Sequence, residues 1–229
     1  MHGGRFTGDP AYFRDDLRVP VMCVEAETDL ITLNYVIARQ DDAEHLVTWE
    51  MAGTSHADVY TFAAGMLDTG SLPIDELAPL WLPTRDLLVG TLDHPVNAGP
   101  QHYLVNAAMA HFDRWVRDGA RPPASPRLEV EGAGFAVDAH GNARGGIRTP
   151  HVDVPVAALS GLGNGPDLLG SLAGTTLEFD PSALRALYPT KDDYLARFDA
   201  ATDAAVAAGF LLAADAPEIK AVAAANYPS

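Results

Sequence analysis

Two stretches decide the fold: Pro20-Val21-Met22-Cys23-Val24-Glu25-Ala26-Glu27-Thr28-Asp29, and Leu46-Val47-Thr48-Trp49-Glu50-Met51-Ala52-Gly53-Thr54-Ser55-His56. Each is a short apolar run followed at once by a turn that carries an acid–base side chain. Residues 19–26 are rich in β-branched and apolar side chains and read as a buried strand that ends in an acidic loop, Glu27-Thr28-Asp29. Residues 46–51 read as a second strand, and Ala52-Gly53-Thr54-Ser55-His56 as the turn after it. Residues 30–40 can form the helix between them. Strand, helix, strand is the pattern of a βαβ unit in a parallel sheet. The spacing therefore predicts an α/β fold with Asp29 and His56 emerging side by side at one sheet edge.

Downstream, residues 57–67 read as a helix. Residues 70–99 are proline-rich and irregular, and they read either as a lid or substrate-binding loop or as a plain surface excursion. The clearest helix runs from Pro100 to Asp118, with Leu104, Ala108, Phe112, Trp115 and Val116 on one stripe. Pro100 starts it, Gly119 stops it, and Pro122-Pro123 forbids continuation. Leu128, Val130, Phe135 and Val137 suggest strands around the turn residues Asp138-Ala139-His140-Gly141-Asn142. Residues 152–159 are a further strand candidate, placed at an edge by Pro155. Residues 161–174 read as a glycine-rich loop. Thr190 reads as the N-cap of a helix that stops at Gly209, and a last short helix begins at Asp215-Ala216-Pro217. The 229 residues are read as a single α/β domain, with an irregular, β and helical extension at the C-terminal end.

Composition narrows the function. The net charge of -16 repels nucleic-acid phosphates and anionic lipid, so neither a nucleic acid nor a membrane is expected as a partner. Cys23 is the only cysteine, which excludes an intrachain disulfide and a thiolate metal cluster. It lies in an apolar run and reads as a buried structural thiol. The first ten residues are glycine-rich and polar, without the apolar core of a signal peptide, and read as a tail or loop. By default the compartment is cytoplasmic. The eight histidines show no metal-ligand spacing, so no metal or other cofactor is expected. Asn142-Ala143-Arg144-Gly145-Gly146 lacks the ending of a phosphate loop and reads as a tight turn, and nothing local demands that Arg148 line a pocket.

A hydrolytic triad needs a nucleophile, a histidine that takes its proton, and a carboxylate that holds the histidine's tautomer. On α/β-hydrolase folds these groups lie on loops after strands, in the order Ser, Asp/Glu, His. Asp29 and His56 occupy the last two places in that order. Glu27 is the competing acid. It lies two residues earlier on the same face of an extended chain, whereas Asp29 sits farther into the loop, where reach to His56 is easier.

Six segments carry a family resemblance. They are Glu27-Thr28-Asp29, Gly53-Thr54-Ser55-His56-Ala57-Asp58, Asn97-Ala98-Gly99-Pro100, the run from Trp115 to Gly119 with Pro122-Pro123, the run from Asp138 to Pro150, and Val152-Asp153-Val154-Pro155. From Leu17 to the C-terminus the chain resembles the alpha/beta hydrolase domain family, a bacterial group taken to be serine esterases. The resemblance implies an α/β-hydrolase fold, hydrolysis of a small-molecule ester, His56 as the triad histidine and Asp29 as its acid. It also implies that these 229 residues are a single α/β-hydrolase domain incomplete at its N-terminal side, the C-terminal portion of a chain about twice this length with the nucleophilic serine in an N-terminal half.

No G-x-S-x-G elbow occurs in these 229 residues. Gly170-Ser171-Leu172-Ala173-Gly174 has the wrong spacing, Ser160 lacks a glycine two residues before it, and Ser55 adjoins His56. Two expectations follow. In the first, the chain supplies the acid and histidine of an acyl-ester hydrolase, is inactive alone, and partners a missing N-terminal half or another copy of itself. In the second, it is a truncated or degenerate, non-catalytic module that acts at most through interactions. Either way, the first strand or its neighbour is expected to leave an apolar edge unpaired.

Overall fold

The computed structural model describes residues 9–88 and 90–228. The sequence reading of the first ten residues as a tail falls largely on residues 1–8, outside the described residues. Strand β1 (Val21–Ala26) and strand β2 (Leu46–Met51) pair in parallel, with Val21 opposite Leu46 and Ala26 opposite Met51. This is the expected parallel pair with a helical crossover, and the chain mixes helices with short strands throughout. Among the described residues the strands form four two-stranded sheets, of which only β1–β2 is parallel.

The crossover departs from expectation. Helix α1 spans Glu27–Ile31, so it starts directly at the end of β1 and absorbs the acidic residues that were expected in a loop. The cause is local: the Asp29 carboxylate reaches back to accept the Ala26 N–H at 2.7 Å, which closes the first helical turn onto the strand end. Asn34, in the left-handed region at φ 66°, then ends the helical path, and Tyr35–Ala38 makes a 3-10 turn.

Other elements follow the chain's own signals. Val59 to Leu67 is helical as expected, with a π-type stretch at Tyr60–Ala64. Residues 70–99 are less irregular than expected: they contain a helical turn (Ile74–Leu77), a 3-10 turn (Ala78–Trp81) and a two-residue ladder of Asp86–Leu87 with Gly90–Thr91. Helix α2 (Gln101–Asp118) ends at Gly119 in the left-handed conformation, φ 72°. It buries Tyr103, Leu104, Ala107, Ala108 and Trp115, but Val116, expected on the stripe, is exposed. The expected strand over 152–159 is shortened at its start, because Pro150–Asp153 is helical, with Pro150 pre-set for the first helical position. Strand β3 (Ala157–Ser160) begins only after Pro155 and pairs antiparallel with β4 (Thr175–Glu178). The glycine-rich segment between them carries a short helix, Leu168–Ala173, capped by Asp167. Helix α3 (Lys191–Ala207) has the expected cap, Thr190, and α4 (Ala216–Ala225) follows.

The main core gathers Trp49 and Met51 of β2, Leu104 and Trp115 of α2, Phe198 of α3 and Ile219 of α4. A smaller core of Leu30, Ala52, Leu128, Ala143 and Val152 sits beneath α1. No described helix is long and apolar enough to cross a membrane.

Candidate active site

The carboxyl ends of β1 and β2 lie together, and Asp29 and His56 meet there. His56 Nδ1 lies 2.7 Å from Asp29 Oδ1. The other oxygen of Asp29 is held by the Ala26 N–H, so the carboxylate is fixed by its own helix before the histidine reaches it. The backbone N–H of His56 donates to Thr28 Oγ1 at 3.1 Å, and Thr28 Oγ1–H donates to the Gly161 carbonyl at 2.7 Å. The histidine loop, helix α1 and the turn after β3 are thus tied at one point. The His56 side chain is 49% exposed and that of Asp29 only 14%. The acid is sheltered while the imidazole faces outward. A carboxylate at Nδ1 places the proton on that nitrogen and leaves the Nε2 lone pair outward, the state a general base needs.

Glu27, the competing acid, takes no part in this pair. It is fully buried and accepts from the Gly53 N–H at 2.6 Å and the Gly161 N–H at 2.8 Å, with Ser160 Oγ at 3.3 Å. On an extended chain Glu27 would share a face with Asp29, but the helix begins at Glu27 and turns its side chain inward. Burial raises its pKa to about 7, against the pull of those two amides. Glu27 acts as a clasp between the loop that presents His56 and the turn after β3. Glu25, in β1 four residues before Asp29, is pushed up to about 8 by burial first, then by the charges of Asp29 and Glu50. Near neutral pH it holds its proton and adds no charge beside Asp29.

Glycines make these approaches possible. A Cβ at Gly161 would lie 2.5 Å from the Thr54 carbonyl oxygen and 2.7 Å from the Thr28 nitrogen. Gly53 adopts φ 70° against Val152 and Leu159. Buried Asn97 donates to the Gly53 and Ser160 carbonyls at 3.2 and 3.0 Å and accepts from the Gly99 N–H at 2.7 Å. Sequence reasoning did not assign Glu27, Asn97 or Gly161 a supporting role, because each acts through backbone groups distant in the chain. Asp58, next to the histidine motif, is buried with Oδ1 bonded to Thr61, and burial raises its pKa to about 6.

The serines weighed as nucleophiles are otherwise engaged. Ser55 Oγ is buried on the Ala57 and Ala173 carbonyls, Ser160 Oγ contacts Glu27 and the Leu162 N–H, and Ser171 Oγ bonds the Leu168 carbonyl. Arg148 lies between Asp138 and Asp153 at 2.7 Å each, so it braces the turn rather than lining a site. Asn142 accepts the Leu159 N–H at 2.8 Å, and Gly145 and Gly146 both have positive φ, as a tight turn requires. Among the described residues, no three His, Cys, Asp or Glu side chains converge to hold a metal ion.

No curated protein and no solved structure matches the chain. A family model described as alpha/beta hydrolase domain matches residues 2–221, which includes both strands, the Asp29–His56 pair and the braced turns behind it. The chain belongs to the alpha/beta hydrolase domain family.

Proposed function

We propose that this chain supplies the acid and the histidine of a serine-type acyl-ester hydrolase, with the nucleophile contributed from outside these 229 residues. The observation that carries the reading is the 2.7 Å approach of Asp29 to His56 at the ends of two parallel strands, with the imidazole facing outward. In this reading His56 Nε2 removes the proton from an attacking serine hydroxyl and returns it to the departing alcohol. Asp29 holds the tautomer and stabilises the imidazolium that forms between the two steps. The family supports hydrolase chemistry, and the lack of a G-x-S-x-G motif in the sequence favours a nucleophile supplied by another chain or segment.

The test is an ester assay on the chain alone and on the chain completed with the nucleophile-bearing half of a family member. The chain alone should not exceed background. The completed protein should turn over ester, lose activity to a serine-directed phosphonate, and lose it again on His56→Ala. Full activity in the His56→Ala protein would refute the assignment. The engaged serines favour a second reading, a non-catalytic interaction module. That reading wins if completion with the other half forms a stable complex without turnover.

A further inference from the structure

Away from the acid–histidine pair, β3, β4, α3 and α4 line a cavity of about 100 Å³ that is partly open to solvent. Its wall is mainly apolar and includes Trp81, Leu159, Phe198 and Val222. His151 lies deep in the protein yet keeps some accessible surface, and it lines this cavity. Its ring packs edge-on against Phe198, with centroids 5.1 Å apart.

Neither ring nitrogen of His151 bonds to any described residue, and Nδ1 is sealed within the packing. Nε2 is then the ring nitrogen left to border the cavity. An N–H buried without an acceptor is costlier than an unused lone pair. The neutral ring therefore carries its proton on Nε2, aimed at the open space. Trp81 Nε1, like His151 Nδ1, is buried without a partner and sealed within the packing, so it does not border the cavity. Burial lowers the His151 pKa to about 4, so the ring is uncharged at neutral pH. Exposed Glu178 lines the cavity and no described lysine or arginine does, so an anion is disfavoured. The wall offers an apolar volume and one N–H donor, on His151, that has no acceptor among the described residues. A ligand that fits it is small, uncharged and carries one accepting oxygen.

We propose that this cavity binds a small neutral carbonyl compound, its apolar body between Leu159, Phe198 and Val222 and its carbonyl oxygen on His151 Nε2. Ligand pockets that pair an apolar wall with one placed polar group distinguish ligands by that group, because leaving a buried donor unpaired is costly.

The test uses three fluorinated probes followed by ¹⁹F NMR line broadening. They are 4-fluoroacetophenone, 1-ethyl-4-fluorobenzene (the same shape without the oxygen) and 4-fluorobenzoate. A ketone cannot be hydrolysed, so its binding is read independently of any esterase activity. The ketone should bind about two- to tenfold more tightly than the hydrocarbon, the worth of one hydrogen bond, and the benzoate should not bind. His151→Phe keeps the ring contact with Phe198 and should level ketone and hydrocarbon. Ala223→Leu narrows the cavity and should abolish both. Where His151→Phe fails to fold, the wild-type comparison and Ala223→Leu decide. Absence of ketone binding, equal binding of ketone and hydrocarbon to the wild type, a ketone preference that persists in His151→Phe, or unchanged binding in Ala223→Leu would each overturn the proposal.

Discussion

Strands β1 and β2 have six residues each and run in parallel register, yet they live in different surroundings. All six residues of β2 are buried, whereas β1 buries only Ala26 at its carboxyl end. The outer side of β2 is covered: Ile147 bridges Met51, accepts the Ala52 N–H and donates to the Glu50 carbonyl, while Ser125 and Arg127 bond the Thr48 carbonyl. On β1, the Val21 N–H bonds the His45 carbonyl, so Val21, Cys23 and Glu25 direct their backbone groups at β2 and Met22, Val24 and Ala26 direct theirs away. The Ala26 N–H is taken by Asp29, and among the described residues no strand pairs with the outward groups of Met22 and Val24. The histidine thus hangs from a strand locked on both sides. The acid hangs from a strand open on one side, and its own short helix holds it in place.

The largest effect that tests this contrast is catalytic. In the completed enzyme, His56→Ala should lower kcat by about 10⁶-fold and Asp29→Asn by about 10⁴-fold, on the scale of triad removals elsewhere. Equal small losses in both variants, measured with a simple ester at saturation, would separate the pair from the chemistry.

Stability should follow burial. Trp49 of β2 is fully buried, donates to the Pro123 carbonyl at 2.8 Å and meets Phe210 edge-on. Trp49→Ala should cost about 3–5 kcal/mol, and Val24→Ala in half-buried β1 about 1 kcal/mol. Urea melts that give the two substitutions equal cost would erase the distinction between the strands.

Glu27 joins the two loops and gives the comparison a pH axis. Its folded pKa, near 7, lies above the ordinary carboxylate value, so the folded protein keeps a proton that the unfolded chain releases. That contribution to stability is present below the unfolded value, about 4.3, and is lost as pH rises toward 7. Between about pH 4.5 and 7 the wild type should lose stability with rising pH more steeply than Glu27→Gln. The difference in slope is at most about 1.4 kcal/mol per pH unit. Parallel slopes would mean that Glu27 stays ionised beneath the loops.

The smallest effect belongs to the open edge. Val19, just before β1, is 62% exposed. Val19→Lys should change stability by less than about 0.5 kcal/mol while reducing concentration-dependent association in sedimentation. A wild type that stays monomeric at high concentration would show that the edge of β1 does not recruit another chain.

Local chemistry made much of this molecule legible. Short apolar, β-branched runs marked β1 and β2, and the proline–glycine pair marked α2. Thr190 marked the start of α3, and the order of Asp29 and His56 marked the pair that meets. These signals act within a few residues, through backbone preference and side-chain spacing. The errors share a cause as well. The Asp29 carboxylate captures the Ala26 N–H and moves the helix start onto the acidic residues. Pro150 turns the start of an expected strand into a helix. Each depends on which of two local options the packing rewards.

The amino-acid order by itself determined the parallel pair and which strand ends carry Asp29 and His56, because strand formation and connection length depend on neighbours in the chain. Only the tertiary structure decided that Glu27 is a buried clasp rather than a second candidate acid, and that Gly161 and Asn97 underpin the histidine loop. It alone placed His151 on a cavity wall. Those roles rest on hydrogen bonds and contacts between residues 26 to 134 positions apart, such as Glu27 with Gly53 and with Gly161, and no local pattern encodes such a meeting.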